Sequence, residues 1–578
     1  MGALLIMVLS FIGYLIMYQL YGKFIGNKIF ALDDNNMVPA VEFEDDIDFV
    51  PTKKEVIFGH HFASIAGTGP IVGPAIAVIW GWVPALIWVF VGSIVMGAAH
   101  DFGSLIISMR NQGKSISEFT SKYINNRTKY FFFFIVFLEL WIIVAIFGLV
   151  IAVIFQLYPS AVLPVWLQIP IAMYLGYIVY NKGGNLLKWS IIAVLVMYVT
   201  VVLGAYFPIS LKSIFGLSSI GIWSIILLIY AYFASVLPVT KLLQPRDYIN
   251  AYQLGIAMSL LVFGVLFASF GSNLKIVAPA VQISPKGSPP LWPFLFITIA
   301  CGAISGFHAL VSSGTSAKQV RKETDSLFVG YGSMLTEGAL ATLVIIATTA
   351  GIGMGIGEGG RTLIGIQAWT HHYASWAAAG GLSSKIGAFI VGAANMLGAL
   401  GIPQTVGIAI MGVFVASFAG TTLDTATRIQ RYLITETFPR TFKNRYISTG
   451  FVVMIALLLI FSSGANGKGA LALWPLFGAI NQTLAALALI VITIYLKGRL
   501  KWGWLVSAIP AVFMLAVSFW AAVENQIRFG ASNNILLKII NLIIIVSMMW
   551  VALEGLVKFF KTSFAENTDV KTVESSFN

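Results

Sequence analysis

The chain has 578 residues, 58% of them hydrophobic and only 10% charged, with a mean hydropathy of +0.89; these values exclude a soluble globular protein. A net charge of +12 would point to nucleic acid in a soluble chain, but here the basic residues sit between apolar runs, where membrane topology and anionic lipid account for them. Nucleic acid is therefore excluded as a partner, and the single cysteine, Cys301, excludes a disulfide framework.

Apolar runs of about 20 residues recur along the whole chain, long enough to cross a bilayer as helices. In chain order the predicted spans are 3–22, 59–80, 82–109, 130–157, 161–180, 187–207, 219–238, 252–271, 292–313, 329–351, 385–420, 447–463, 471–496, 502–522 and 535–560. This is an all-α integral membrane protein of about fifteen spans. The first run, MGALLIMVLSFIGYLIMYQLYGK, lacks the basic start and the small-residue cleavage site of a secretory signal, and is kept as a span. The eleventh is overlong and contains GALGIP at 398–403, which predicts a bent span or a span plus a re-entrant piece.

Short loops rich in Lys and Arg mark the cytoplasmic side. Arg110, Lys114, Lys122, Arg127 and Lys129 form one such loop; Lys318, Arg321 and Lys322 a second; Arg428, Arg431, Arg440, Lys443 and Arg445 a third; Lys497, Arg499 and Lys501 a fourth. With fifteen spans all four fall on one side, together with the tail bearing Lys558 and Lys561. The expected topology is multi-pass, N-terminus outside and C-terminus cytoplasmic.

Lipid cannot hydrogen-bond the backbone, so a broken helix at membrane depth must lie against protein or a water-lined cavity. GHHFASIAGTGPIVGP (59–74) predicts such a break in the second span. ASVLPVTKLLQP (234–245) predicts another in the seventh, and SGFHALVSSGTS (305–316) is a third candidate. Spans two and seven are five apart, and an odd offset reverses direction. That is the arithmetic of an inverted five-helix repeat with the substrate between the two broken helices. The expected divisions are 1–58, the first span and an acidic loop; 59–207 and 208–422, the two repeats; 423–560, four additional spans; and 561–578, a tail.

Amides that open a half-helix favour an anion, and carbonyls that close one favour a cation. Gly67, Thr68 and Gly69, with Val236, Leu237 and Pro238 at the second interruption, are the candidate substrate contacts. Hydroxyls of Ser312, Ser313 and Thr315 are candidates to complete a cation shell. His60, His61, His100, Asp101, Glu139, His308 and Glu337 lie in or at the edge of spans, where ionisable groups are functional hypotheses by default. Three readings stand open for them: structural or gating hydrogen bonds, proton coupling at His60, His61, His100, Asp101 and His308, and metal ligation at His60, His61, His100 and Asp101. No histidine pair has the i, i+4 spacing of a helical zinc motif. Arg110, Asp424 and Arg428 are the candidate inner gate, with an ordinary i, i+4 pair between Asp424 and Arg428 as the plain alternative. Asn481 and Gln482 read as interhelical hydrogen bonds.

These stretches, with GAAHDFGSLIISMRNQGKSISE (97–118), SGFHALVSSGTSAK (305–318), SFAGTTLDTATRIQRY (417–432) and WPLFGAINQTLAA (474–486), resemble the carbon starvation protein A family. The resemblance implies uptake of peptides, or of pyruvate in some members, across the inner (plasma) membrane under nutrient limitation, driven by a proton or sodium ion. It also implies a leucine-transporter-like core of inverted five-helix repeats. The leading expectation is a secondary transporter and not an enzyme, with no cofactor beyond the coupling ion and with lipid and a small molecule as partners. A membrane-embedded metalloenzyme using the histidines is the alternative. No GxxxxGK[ST] motif is present for ATP drive, no appended signalling domain supports a sensor, and no filter motif supports a channel.

Overall fold

The computed structural model describes residues 2–271, 274–358 and 361–563. Among them, twelve helices are long and apolar enough to cross a membrane. They are α1 (Gly2–Ile29), α4 (Trp82–Met109), α5 (Asn126–Leu157), α6 (Pro159–Asn181), α7 (Leu186–Tyr206), α8 (Ser219–Val236), α9 (Leu243–Gly271), α12 (Leu327–Met354), α14 (Gln404–Thr437), α16 (Gly469–Lys497), α17 (Leu505–Ala531) and α18 (Ile535–Lys561). A bent pair, α2 (Lys54–Ala66) and α3 (Gly69–Trp80), makes one further crossing. A split pair, α10 (Leu291–Thr298) and α11 (Gly306–Gly314), and the shorter α15 (Arg445–Phe461) occupy the remaining two of the fifteen expected spans, although no one of these helices is long enough to cross by itself.

The remaining apolar helix, α13 (Leu382–Gly398), does not cross. Its Asn395 amide donates to the carbonyls of Gly351 (3.0 Å) and Gly355 (2.7 Å) at the end of α12, while Lys385 lies 5.1 Å above the Trp474 ring near the start of α16. Gly401, at φ +79°, and Pro403, which precedes the first turn of α14, reverse the chain. The overlong eleventh run is therefore a re-entrant helix followed by a 34-residue span. This keeps the basic loops together: Arg110 meets Glu323, Ser115 meets Glu436 (2.8 Å), and Lys318 lies 4.0 Å from the Tyr432 ring centroid.

Two spans break in mid-course. Gly67, at φ +29°, separates α2 from α3, and Pro70 sits in the first turn of α3, so the two halves meet at 43°. Gly302, at φ +90°, lies in the stretch that separates α10 from α11. Only glycine adopts these left-handed conformations without strain. The broken spans run side by side in opposite directions. Before α2, the Val50 and Thr52 amides donate to Lys318 O (3.1 Å) and Gln319 O (3.0 Å), just past α11. At the other end of the pair, the Trp80 indole donates to Pro289 O (3.2 Å), just before α10.

The partner of the broken second span is thus the ninth and not the seventh. Helix α8 is continuous for 18 residues, about 27 Å at 1.5 Å per residue, so Pro238 falls after a completed crossing, in the turn to α9. That helix begins at Leu243, inside what the sequence reading took as connector. Around the broken pair, α4 packs on α11, α12 on α3 and α9 on α2, while α5 lies along α14 and is flanked by α8 and α15. The α6–α7 hairpin covers α9, and α17 and α18 pack on α16.

Candidate functional site

The two breaks touch. A Cβ built on Gly69 would lie 2.4 Å from Cys301 Sγ, and one on Gly302 would lie 3.5 Å from Pro70 Cβ. A Cβ on Gly67 would lie 2.5 Å from Thr422 Oγ1 and 3.0 Å from the Phe147 ring. The hydroxyls facing this break come from α14 and not from α11: Thr422 Oγ1 donates to Ser64 O (3.0 Å), and Ser64 Oγ pairs with Thr425 Oγ1 (3.0 Å). Ser313 instead accepts from the Ile116 amide (3.1 Å) and donates to Ala309 O (2.7 Å), which turns it toward the Arg110–Lys129 loop. Ser312 is buried. Thr315 faces His60.

The adjacent histidines part company. His60 Nδ1 donates to Asp247 Oδ2 (2.7 Å), whereas His61 Nδ1 pairs with Ser316 Oγ (2.8 Å), so the two rings serve different neighbours. Asp247 is also 3.5 Å from Arg246, which donates to Asp424 and Tyr230, and to Thr421 Oγ1 (3.0 Å). All of these side chains are buried except Tyr230, whose hydroxyl donates to Asp424 Oδ2 (2.8 Å). A ladder of amides and hydroxyls continues the network: Asn250 donates to Thr421 (2.9 Å), and Gln168 links Asn250 to Ser417 (3.1 Å). A cavity of ≈ 20 Å³ adjoins it, lined by Trp166, Gln168, Tyr230, Arg246 and Ser417 among others. That volume holds about one water.

One guanidinium against two carboxylates leaves this group one positive charge short. In a low-dielectric interior such a deficit is costly and draws in a cation. The arrangement around His60 accommodates a proton on both ring nitrogens: Nδ1 faces the carboxylate, and Thr315, which donates to Val311 O (3.1 Å), turns its lone pairs toward Nε2 at 3.3 Å.

The candidates His100, Asp101 and His308 do come together. The Asp101 carboxylate accepts from His100 Nδ1 and from His308 Nδ1, both at 2.9 Å. Beyond His308, Glu337 Oε2 lies 3.4 Å from Nε2, and Glu337 Oε1 accepts from the Gly302 amide (2.9 Å). Asn481 binds the Phe307 amide (2.9 Å) and Ser305, the interhelical role expected of it. Glu139 is buried on α5, away from either group's hydrogen bonds.

The expected inner gate divides into separate contacts. Arg110 pairs with Glu323 (2.7 Å) and Tyr495 (3.0 Å), not with Asp424. Asp424 belongs to the Arg246 network, and Arg428 reaches Asp48 (2.9 Å) in the loop before α2, so the i, i+4 pair is not made. Val236, Leu237 and Pro238 lie at this same end, where Arg428 donates to Ala234 O (3.2 Å) and to Leu237 O, rather than beside Gly67. Tyr432 also donates to Asp48, and Arg431 is 3.6 Å from it. Burial pushes the Asp48 carboxyl up, but the Arg428 and Arg431 guanidiniums outweigh it and hold the group below its ordinary value.

Sequence reasoning assigned nothing to Arg246, Asp247, Thr421 and Thr422, and noted Glu337 and Cys301 without a role. The signal for the first pair was QPRDY (244–248), two adjacent charges beside a proline.

The family described as carbon starvation protein CstA matches residues 2–521. Among relatives, a peptide transporter CstA of Campylobacter jejuni is 33% identical over 92% of this chain and 82% of its own. One of Bacillus subtilis is 34% identical over 86% of each chain. The pyruvate/proton symporter BtsT of Escherichia coli is 31% identical over 90% of this chain and 81% of its own. Among solved structures, a crystal structure of the Eremococcus coleocola manganese transporter matches 90% of this chain and 99% of that one at 11% identity, with a TM-score of 0.48.

Proposed function

The chain belongs to the carbon starvation protein CstA family, and from that premise we propose that it takes up a small carboxylate-bearing nutrient, a peptide or pyruvate, across the inner membrane by ion-coupled alternating access. The observation that carries this reading is the pair of antiparallel broken spans whose breaks abut at Gly69 and Cys301. Exposed main-chain dipoles at such breaks bind charged groups in secondary transporters. The substrate carboxylate sits at Gly67, Thr68 and Gly69 when the breaks separate. Residues 236–238 belong to the inner gate instead.

The two repeats run 54–271, with α6 and α7 as an inserted hairpin, and 291–497, with α13 as a re-entrant piece between α12 and α14. These bounds replace 59–207 and 208–422, because the broken helix must head each repeat. The N-terminus lies outside and the basic loops lie in the cytoplasm. The inner gate is Asp48 with Arg428 and Arg431, reinforced by Arg246 with Asp424.

The coupling ion is a proton held at His60 and Asp247, the pair that ties the inner half of the broken span to α9. Neutralising the group there stabilises the closed inner side; release lets α2 part from α9. The test is uptake into proteoliposomes with imposed proton or sodium gradients, with dipeptides and pyruvate in competition. An inward proton gradient drives accumulation, and His60→Gln abolishes that accumulation while sparing substrate exchange. Accumulation that follows sodium, or equal loss of both activities in His60→Gln, contradicts the coupling assignment. The absence of any gradient-driven uptake contradicts the transport reading.

A further inference from the structure

The deepest unexplained feature lies in the second buried group, where the α10–α11 break meets α12. Cys301 Sγ, a His308 ring nitrogen and a Glu337 carboxylate oxygen all lie within 4.8 Å of one another, and all three residues are buried. His308 Nδ1 is committed to Asp101 (2.9 Å), so in the neutral ring Nε2 carries the lone pair, and it faces Glu337 Oε2 at 3.4 Å. Among the described residues, neither Nε2 nor Oε2 has a hydrogen-bond partner. With the ring neutral, two acceptors therefore face one another in a buried setting, an arrangement that costs free energy unless a cation lies between them.

We propose that Cys301, His308 and Glu337 bind a divalent transition-metal ion of the zinc class. Three features select it. The first is distance: two ligands each about 2.1 Å from a tetrahedral Zn²⁺ are about 3.4 Å apart, the separation seen between Nε2 and Oε2, whereas a charge-assisted N–H···O bond is about 2.7–2.9 Å. The second is charge: a thiolate and a carboxylate together cancel a divalent ion, which a site at bilayer depth requires. The third is ligand type: sulfur with nitrogen suits Zn²⁺, Fe²⁺ or Co²⁺ and disfavours Mg²⁺ and Ca²⁺, which take oxygen.

The surroundings are those of a built site. Asp101 orients His308 from behind, as carboxylates do for metal-bound imidazoles. The Gly302 amide fixes the second oxygen of Glu337 (2.9 Å), and the Ser305 hydroxyl stands 3.5 Å from Sγ, in position to donate to a thiolate. Three protein ligands leave a fourth position for water or another oxygen ligand. The ion staples the broken ninth span to α12 and fixes the Cys301–Gly302 turn against which α3 packs.

The purified full-length protein in detergent is dialysed against a weak chelator and its metal content measured by mass spectrometry; one zinc per chain is expected. After stripping and titration with Co²⁺, a sulfur-to-cobalt charge-transfer band is expected, assignable to Cys301 because the chain has no other thiol. Cys301→Ser loses the band, Glu337→Gln loses at least tenfold in affinity, and Asp101→Asn weakens binding about 10–100-fold while keeping the band. His371→Ala/His372→Ala, in the segment between α12 and α13, leaves metal content unchanged. If Cys301→Ser does not fold, the cobalt spectrum of the unaltered protein decides alone. Cobalt bound without a sulfur band, no tight metal at all, or binding indifferent to Glu337→Gln would each overturn the site.

Discussion

The two halves of the broken second span are held by different means. Helix α2 is fastened by side-chain bonds: His60 to Asp247 (2.7 Å), His61 to Ser316 (2.8 Å), Ser64 to Thr425 (3.0 Å), with Asp48 on Arg428 (2.9 Å) just before it. Helix α3 is fastened by backbone proximity. A Cβ on Gly73 would lie 2.5 Å from Thr298 O, and one on Gly81, in the turn that follows α3, 2.4 Å from Ala280 O, while Tyr373 donates to Ala75 O (2.6 Å). Polar contacts can exchange partners or release on a change of charge; close-packed backbone has no alternative arrangement of similar energy. The difference assigns motion to α2, pivoting at Gly67 and Thr68, and rigidity to α3.

The strongest way to break this contrast is Arg246→Ala. It strands the buried Asp247 and Asp424, a loss of about 3–5 kcal/mol, read as a large drop in unfolding stability in detergent; a change under about 1 kcal/mol would show that the network is not what fastens α2. Next comes Gly73→Ala on the rigid half. Its methyl has only backbone to meet, so about 1–3 kcal/mol is expected from overpacking, and a stability equal to the parent would show that α3 yields. Asp48→Asn should cost less, about 1 kcal/mol, because Arg428 keeps its carbonyl partners at Ala234 and Leu237. Its signature is kinetic: faster labelling of a cysteine placed at Lys53, which would be unchanged if the latch carried nothing.

The smallest effect is with pH. The Asp48 carboxyl is held below its ordinary value, so its contribution is fully present above about pH 3.9 and is lost only as pH falls through the lowered value. In His60→Gln, labelling at Lys53 should therefore not vary with pH between about 5 and 8, and an opening within that window in this variant would assign the sensitivity to Asp48.

Much of the fold was legible because its signals are local. Apolar length marked the long helices, and the basic loops marked ends that lie together. Gly67 with Pro70, and the GALGIP turn, announced a break and a re-entrant piece. The partner of the break was misplaced because a proline after a finished span, Pro238, and one within a span look alike without knowing where the membrane ends. The Arg246–Asp247 pair was lost for a related reason: Pro245 and two charges read as connector, yet Pro245 sits in the first turn of α9, where its missing amide costs nothing. His100, Asp101 and His308 were found as ionisable groups at depth, but Glu337 and Cys301 join them only through the α10–α11 break, a contact between distant segments that no spacing encodes.

The most direct test of the pivot is a distance measurement between spin labels at Lys53, before α2, and Thr441, after α14, with a second pair spanning α3 and α10 as reference. Cys301 is buried and leaves these labels distinct. Two populations are predicted for the first pair, the longer one enriched by Asp48→Asn and by His60→Gln, while the reference distance stays single. One unchanging distance at Lys53 and Thr441, or movement of the reference pair alone, would contradict the account.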